Sequence, residues 1–364
     1  MVQYCGKTVD MEAAALKQGK WGKIFNAATI VFSVAMVTWI VLSTDDLSRV
    51  GDAFRNLNPW WMAAAIASFG GYLLGDALGI MTLIRPDGYR LRLLDAMQIA
   101  LVGEFYSEIT PGYAGGQPMQ IYHMARRKID AGVSLSAVTA RHFFDHLTIV
   151  AITLVLWALN ASYANSQVGH LTVLIIIGLL MTFMNVPLTL AVVLNRPAVE
   201  RFVMWCIRLM EKWRLCHNGD KWREKAVHTM DECQQSLSSL VKSPGQILLQ
   251  LLIASLQGLS LLAAPCLVYK ALGLSGTPWY HVLTISFLLF VSASYAPMPG
   301  ATGAQEGGFL VFFGGIFGDM AAVGLLIWRF VTFYLCLLIG CVDTVFISSR
   351  QPRPCERVAM EEKL

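Results

Sequence analysis

The chain has 364 residues, of which 55% are hydrophobic and 14% charged, and its mean hydropathy is +0.54. An ordinary soluble domain carries about 25% charged residues, so this composition excludes one and requires lipid around the apolar mass. The net charge of +4 lies between apolar runs rather than on an aromatic-interleaved patch, and the eight cysteines form no CxxC pair. No nucleic acid, structural zinc or disulfide framework is expected.

In chain order, residues 1–23 form a basic, partly amphipathic N-terminal segment with Lys7, Lys17, Lys20 and Lys23. The apolar windows 24–43, 60–84, 171–194, 246–270 and 319–347 each approach or exceed the roughly 20 residues that cross about 30 Å of hydrocarbon. The first ends in LSTDD without a small-residue cleavage site and is read as an uncleaved span. A further apolar helix carries Arg141. Between the two membrane halves, 24–195 and 246–347, lies a basic linker, 196–245, with Phe202, Cys206, Leu209 and Trp213 on one helical stripe. That pattern suits either a helix on an anionic leaflet or a solvated connection.

Lysine and arginine set the orientation. With the N-terminus inside, the segments 1–23, 85–92, 123–133, 196–245 and 348–364 hold 23 of the 28 basic residues, as the positive-inside rule requires. Both termini are then cytoplasmic. Arg49 and Arg55 fall outside, Lys270 sits at an outer helix end, and Arg141 and Arg329 lie within apolar helices. The sorting holds only if 93–122 and 280–318 each enter and leave on one side, as re-entrant or two-legged hairpins. Both contain breakers, ITPGYAGGQP at 109–118 and APMPGATGAQEGG at 296–308.

The breakers match. Pro111-Gly112-x-x-Gly115-x-Gln117 and Pro299-Gly300-x-x-Gly303-x-Gln305 share a pattern at an offset of 188 residues, and the same offset carries Arg141 onto Arg329. A unit of about 100 residues, consisting of a span, a broken hairpin and an arginine-bearing helix, therefore occurs twice, the second inverted in the membrane. The expected architecture is all-α and polytopic, with about six full spans plus two broken hairpins in an inverted repeat, the pattern of many transporters. The alternative for the breakers is a pair of packing kinks.

Half-helix ends at mid-membrane can hold an anionic group, and Arg141 and Arg329 can fork onto phosphate oxygens. Their alternative role is a salt bridge between helices, with Asp145 or Glu306. Glu104 and Glu306 are the candidates for a cationic part of the headgroup, and Gln117, Gln305 and Asp145 complete the candidate site. Glu108 and Asp76 lie at similar depth. His142 and His146, at i and i+4, are assigned to interhelical hydrogen bonding, because no third metal ligand has suitable spacing. No metal or cofactor is expected.

The segments GEFYSEITPGYAGGQPMQIY (103–122), RHFFDH (141–146), SYAPMPGATGAQEGG (294–308) and WRF (328–330) resemble the lysylphosphatidylglycerol synthase transmembrane family, the flippase-type domain of the bacterial multiple peptide resistance factor. The resemblance covers roughly residues 20–350. It implies a bacterial inner-membrane protein that moves phosphatidylglycerol or its lysyl ester between leaflets and so contributes to resistance against cationic peptides. Full-length members add a domain that takes lysine from lysyl-tRNA. Only 17 residues follow the final span here, so the alternative activity, phosphatidylglycerol lysyltransferase, is expected to need a partner. A third alternative is transport of a polyprenyl-phosphate-linked sugar. The expected partners are the phospholipid, a separate synthase or glycosyltransferase subunit, and a second copy of the chain.

Overall fold

Helix α1 (Pro59–Ile84) begins where Asn58 caps it, its side-chain oxygen accepting from the N–H groups of Trp60 at 3.0 Å and Trp61 at 3.4 Å, with Pro59 in the first turn. It stops at Arg85, before Pro86. The computed structural model that shows this describes residues 51, 55–212, 219–294, 296–344 and 354–357. The expected first span, 24–43, lies outside them. Among the described residues five helices are long and apolar enough to cross a membrane, and strand is confined to Tyr89–Arg90 paired antiparallel with Glu356–Arg357. The chain is an all-α polytopic membrane protein.

The first hairpin has legs α2 (Leu93–Glu108) and α3 (Gly116–Arg126). It leads into α4 (Ala131–Leu159), which carries Arg141. The connection after α4 is itself helical, with α5 (Ala161–Val168) and a 3-10 turn at Gly169–Leu171 leading into α6 (Thr172–Leu194). The linker forms α7 (Arg196–Lys212) and α8 (Gly219–Val241). The side chains of Phe202, Cys206 and Leu209, and all of Trp213, lie outside the described set. Helix α8 packs along the start of α4, where the Gly132 N–H donates to Glu232 Oε2 at 3.2 Å.

The second repeat runs through α9 (Pro244–Leu262), α10 (Ala264–Ala271) and the hairpin legs α11 (Trp279–Ala293) and α12 (Ala304–Phe317). The break is shorter than the 296–308 expected from the sequence. Glu306 reaches back to accept the Gly303 N–H at 2.6 Å, so the helix restarts at Ala304. The window 319–347, expected as one span, begins with a 3-10 turn at Gly318–Met320 and continues as α13 (Ala321–Arg329), a π turn at Phe330–Tyr334 and α14 (Leu335–Val342).

Side-chain contacts place the two hairpin bases at opposite ends of the bundle. The base of the first hairpin lies with the end of α1 and the start of α4: the Tyr89 hydroxyl donates to Asp130 Oδ2 at 2.5 Å, and Arg127 meets Asp95 at 3.5 Å. The base of the second lies with the start of α1 and the end of α4. There the Asn58 N–H donates to the Ala271 carbonyl at 2.9 Å, Asn160 Nδ2 donates to Thr284 Oγ1 at 3.0 Å, and Tyr163 stacks on His281 at 3.8 Å. Exposed Trp60, Trp61, Trp279 and Tyr280 mark that end, as aromatic residues do at a membrane interface.

Helix α1 rises about 39 Å and legs α2 and α11 about 24 Å and 22 Å. The hairpin tips therefore meet near mid-height, where Pro111 bridges Pro299 antiparallel. These prolines are equivalent under the 188-residue offset. A contact between equivalent residues lies on the pseudo-two-fold axis that relates the repeats. The tips also share backbone conformation: φ is +63° at Gly112 and +58° at Tyr113, against +58° at Gly300 and +47° at Ala301.

Helix α1 packs against its repeat counterpart α9. A Cβ at Gly71 would collide with the Ser260 hydroxyl and one at Gly75 with the Gln257 side chain. This small-residue stripe lets the backbones approach. Across it Ser260 Oγ donates to the Ser68 carbonyl at 2.8 Å, and Gln250 Nε2 to Thr82 Oγ1 at 2.7 Å.

Antiparallel bridge partners stand about 4.5–5.5 Å apart at Cα, within reach of a disulfide. In a cysteine-free background, Pro111→Cys with Pro299→Cys is expected to form an intramolecular bond on mild oxidation, read as a reducible shift in electrophoretic mobility. Failure of the double variant to cross-link would place the tips apart.

Candidate functional site

A cavity of about 460 Å³ lies beside the meeting tips. Its wall takes Tyr72 from halfway along α1, Glu104, Ser107 and Glu108 from α2, Tyr113 from the tip and Gln117 from the first turn of α3. Helix α4 adds His142, Asp145 and His146, α6 adds Thr182 and Asn185, α9 adds Gln257, and α11 adds Phe290 and Ser294. Among the described residues that line it there are three carboxylates and no lysine or arginine. The wall combines apolar surface with acidic, amide and hydroxyl groups.

Each polar group arrives by a local rule. Glu104 and Glu108 are one turn apart on α2, as are His142, Asp145 and His146 within one turn of α4. The Tyr72 hydroxyl donates to Glu104 Oε2 at 2.8 Å. His146 Nδ1 lies 2.8 Å from the His142 carbonyl, and the two rings are 5.8 Å apart between centroids. Gln117 stands at the start of α3, whose unpaired N–H groups favour an anion.

The sequence brings Arg141 and Arg329 to mind for a phosphate, but neither lines the cavity. Arg141 is buried behind its wall, in ion pairs with Asp145 and with Asp76 at 3.2 Å from its Nε, and it donates to Gln257. Asp76 also accepts from Gln120 Nε2 at 2.8 Å. Gly79 makes room for this guanidinium, since a Cβ there would come within 2.5 Å of Arg141 Cδ. The arginine therefore fixes the rotamer of Asp145, one of the cavity carboxylates, and ties α1, α4 and α9 together.

Arg329 does not line the cavity either. Its Nε donates to Glu306 Oε1 at 2.8 Å and its Nη2 to the Gly300 carbonyl at 3.1 Å, while its guanidinium lies 5.0 Å from the Phe333 ring and 5.4 Å from the Trp328 ring. Glu306 is wholly buried, and its second oxygen holds Gly303. The pair locks the second tip from both sides of the break. Gln305 is buried beside it in the first turn of α12. Both arginines thus take up the salt bridges that the sequence left as their alternative role.

Of the candidate residues, Glu104, Gln117 and Asp145 come together at the cavity, and Arg141, Arg329, Glu306 and Gln305 stand behind it. Tyr72, Tyr113, Asn185 and Gln257 escaped sequence reasoning. The available signal was a lone amide in an apolar helix, Asn185 in TVLIIIGLLMTFMNVPLTLAVVL and Gln257 in LLIASLQGLSLL.

The model of the family described as the lysylphosphatidylglycerol synthase TM region matches residues 26–340, and the chain belongs to that family. A UPF0104 membrane protein of Archaeoglobus fulgidus is similar, at 22% identity over 325 residues, which cover 86% of this chain and 94% of that protein.

Removing one partner of a buried ion pair costs about 3–5 kcal/mol, because the other charge is left bare. Arg329→Ala is expected to lower stability in detergent by that order. Adding Glu306→Gln is expected to recover at least about 1 kcal/mol, since residues in contact are not additive. Thermal unfolding of the two single variants and the double variant measures this; strict additivity would mean that the pair does not hold the tip.

Proposed function

We propose that this protein moves a phospholipid between membrane leaflets by passing its headgroup through the cavity at the hairpin tips, with (aminoacyl-)phosphatidylglycerol as the substrate. The observation that carries this reading is the cavity wall: three carboxylates and, among the described residues, no lysine or arginine, at the depth where two interrupted helices meet. An acidic pocket in an apolar bundle favours a cationic group such as the ammonium of a lysyl ester. Family membership supports the same class of substrate.

In this proposal Glu104, Asp145 and Glu108 meet the cationic end of the headgroup, and Gln117 with the first N–H groups of α3 meets the phosphate. Arg141 and Arg329 act indirectly, the first by orienting Asp145 and the second by holding the tip. The bundle end that carries Arg90, Arg92, Arg126 and Arg127 faces the cytoplasm of a bacterial inner membrane, by the positive-inside rule. The first hairpin then enters from inside and the second from outside, so both compartments have a broken helix leading to the cavity. Resistance to cationic peptides follows from the positive charge delivered to the outer leaflet.

A charge-assisted hydrogen bond contributes about 1.5–3 kcal/mol. In proteoliposomes with fluorescent lysyl-phosphatidylglycerol, Glu104→Gln is therefore expected to slow leaflet exchange about tenfold or more, and Glu104→Lys to abolish it. Exchange at the rate of the parent protein in both variants would remove the cavity from the transport path.

A further inference from the structure

Glu108 is the one cavity carboxylate whose state headgroup binding leaves unexplained. It ends α2, is 6% exposed and lines the cavity, yet its Oε2 has no hydrogen-bond partner among the described residues. Its neighbours are provided for: Glu104 by the Tyr72 hydroxyl, Asp145 by Arg141, and Asp76 by Arg141 and Gln120. The orphan oxygen lies against the opposite tip, where a Cβ at Gly300 would come within 2.8 Å of it.

The charged and titratable groups that face Glu108 do not compensate it. Glu104 stands a turn away on the same helix, Tyr113 belongs to the first tip, and Glu306 and Arg329 face it from α12 and α13. Cys336 approaches from α14. The one cation among them, Arg329, is already engaged by Glu306 and the Gly300 carbonyl. A bare carboxylate at this depth without a donor is unfavourable, and a protonated carboxyl avoids that penalty.

We propose that Glu108 is a proton-binding site, and that the cavity exchanges one proton for one cationic headgroup. The inference rests on the translocation reading above and names what drives it. With the cavity empty, Glu108 carries a proton on a carboxyl oxygen. When an ammonium group enters from one side, the O–H bond breaks, the proton leaves to that side, and the carboxylate pairs with the ammonium. Departure of the headgroup to the other side lets a proton from there bind the same oxygen. Each cycle carries one lipid one way and one proton the other, with no net charge moved and no buried charge left alone.

The full-length protein in proteoliposomes with fluorescent lysyl-phosphatidylglycerol, under an imposed pH difference, tests this. One proton per lipid gives about a tenfold enrichment in the acidic leaflet for each pH unit, measured by chemical quenching of the outer leaflet against protein-free vesicles under the same gradient. Because Glu108 also pairs with the ammonium, Glu108→Gln is expected to exchange lipid more slowly and without that enrichment, and Glu108→Asp to restore both. An even distribution in the parent protein despite exchange, or equal enrichment in Glu108→Gln, would overturn the coupling. Infrared spectra of the purified protein at neutral pH give a readout independent of transport. A carboxylic-acid carbonyl band should be present in the parent and missing from Glu108→Gln; absence of that difference would overturn the proton site. If the parent protein exchanges no lipid at all, the translocation reading falls, and the infrared band still decides whether Glu108 holds a proton.

Discussion

Two helices that stop in the middle of a bilayer leave backbone groups with no water to meet them, and this constraint shapes the rest of the protein. Non-helical backbone survives at such depth only where protein or a wet cavity supplies partners. Here the tips abut each other, with Pro111 bridging Pro299, and a proline presents no N–H that needs a partner. What remains is met by side chains from nearby: Thr110 Oγ1 accepts the Gly115 N–H at 2.8 Å, Glu306 accepts that of Gly303, and Arg329 donates to the Gly300 carbonyl. The Arg329–Glu306 pair is best understood as part of that backbone satisfaction. It is an ionic clip around a break in a helix.

The two repeats share their scaffold and differ in their chemistry. The tip conformation and the arginine positions correspond at the 188-residue offset, but the acids do not: Glu104, Glu108 and Asp145 fall opposite Ser292, Ala296 and Phe333. The first repeat therefore brings carboxylates to the cavity, and the second brings the aromatic packing that seals its own tip, with Phe309 stacked on Trp328 at 5.0 Å. Arg141 is held by Asp76 and Asp145, side chains with no acidic counterpart in the second half. A symmetric frame thus surrounds an asymmetric pocket, whose lining carboxylates all come from the first repeat.

Much of the frame could be read from the residues. Proline and glycine inside apolar runs break helices wherever those runs end up, so both hairpins and their common period were visible in the sequence. The alternative pairing of each arginine with an acid was also visible, because Arg141 and Asp145 are one turn apart and Glu306 lies in the equivalent depth range. Other features depend on distant approach. Gln257 reaches Arg141 across 116 residues of sequence, Tyr72 finds Glu104 across 32, and Gly79 looks like any membrane glycine until the guanidinium beside it is seen. The π turn at Phe330–Tyr334 follows Arg329 directly, and no composition signal marks it. The helix at Ala161–Val168 leaves no mark either, because its polar ASYANSQV stretch has the composition of a loop.

The residues that join the tips are both prolines, and a proline has no N–H to give. Mutual N–H donation is closed to Pro111 and Pro299, so they can face each other only as a non-hydrogen-bonded pair. The join at the centre of the molecule, next to the cavity, is thus one of packing at the paired residues themselves.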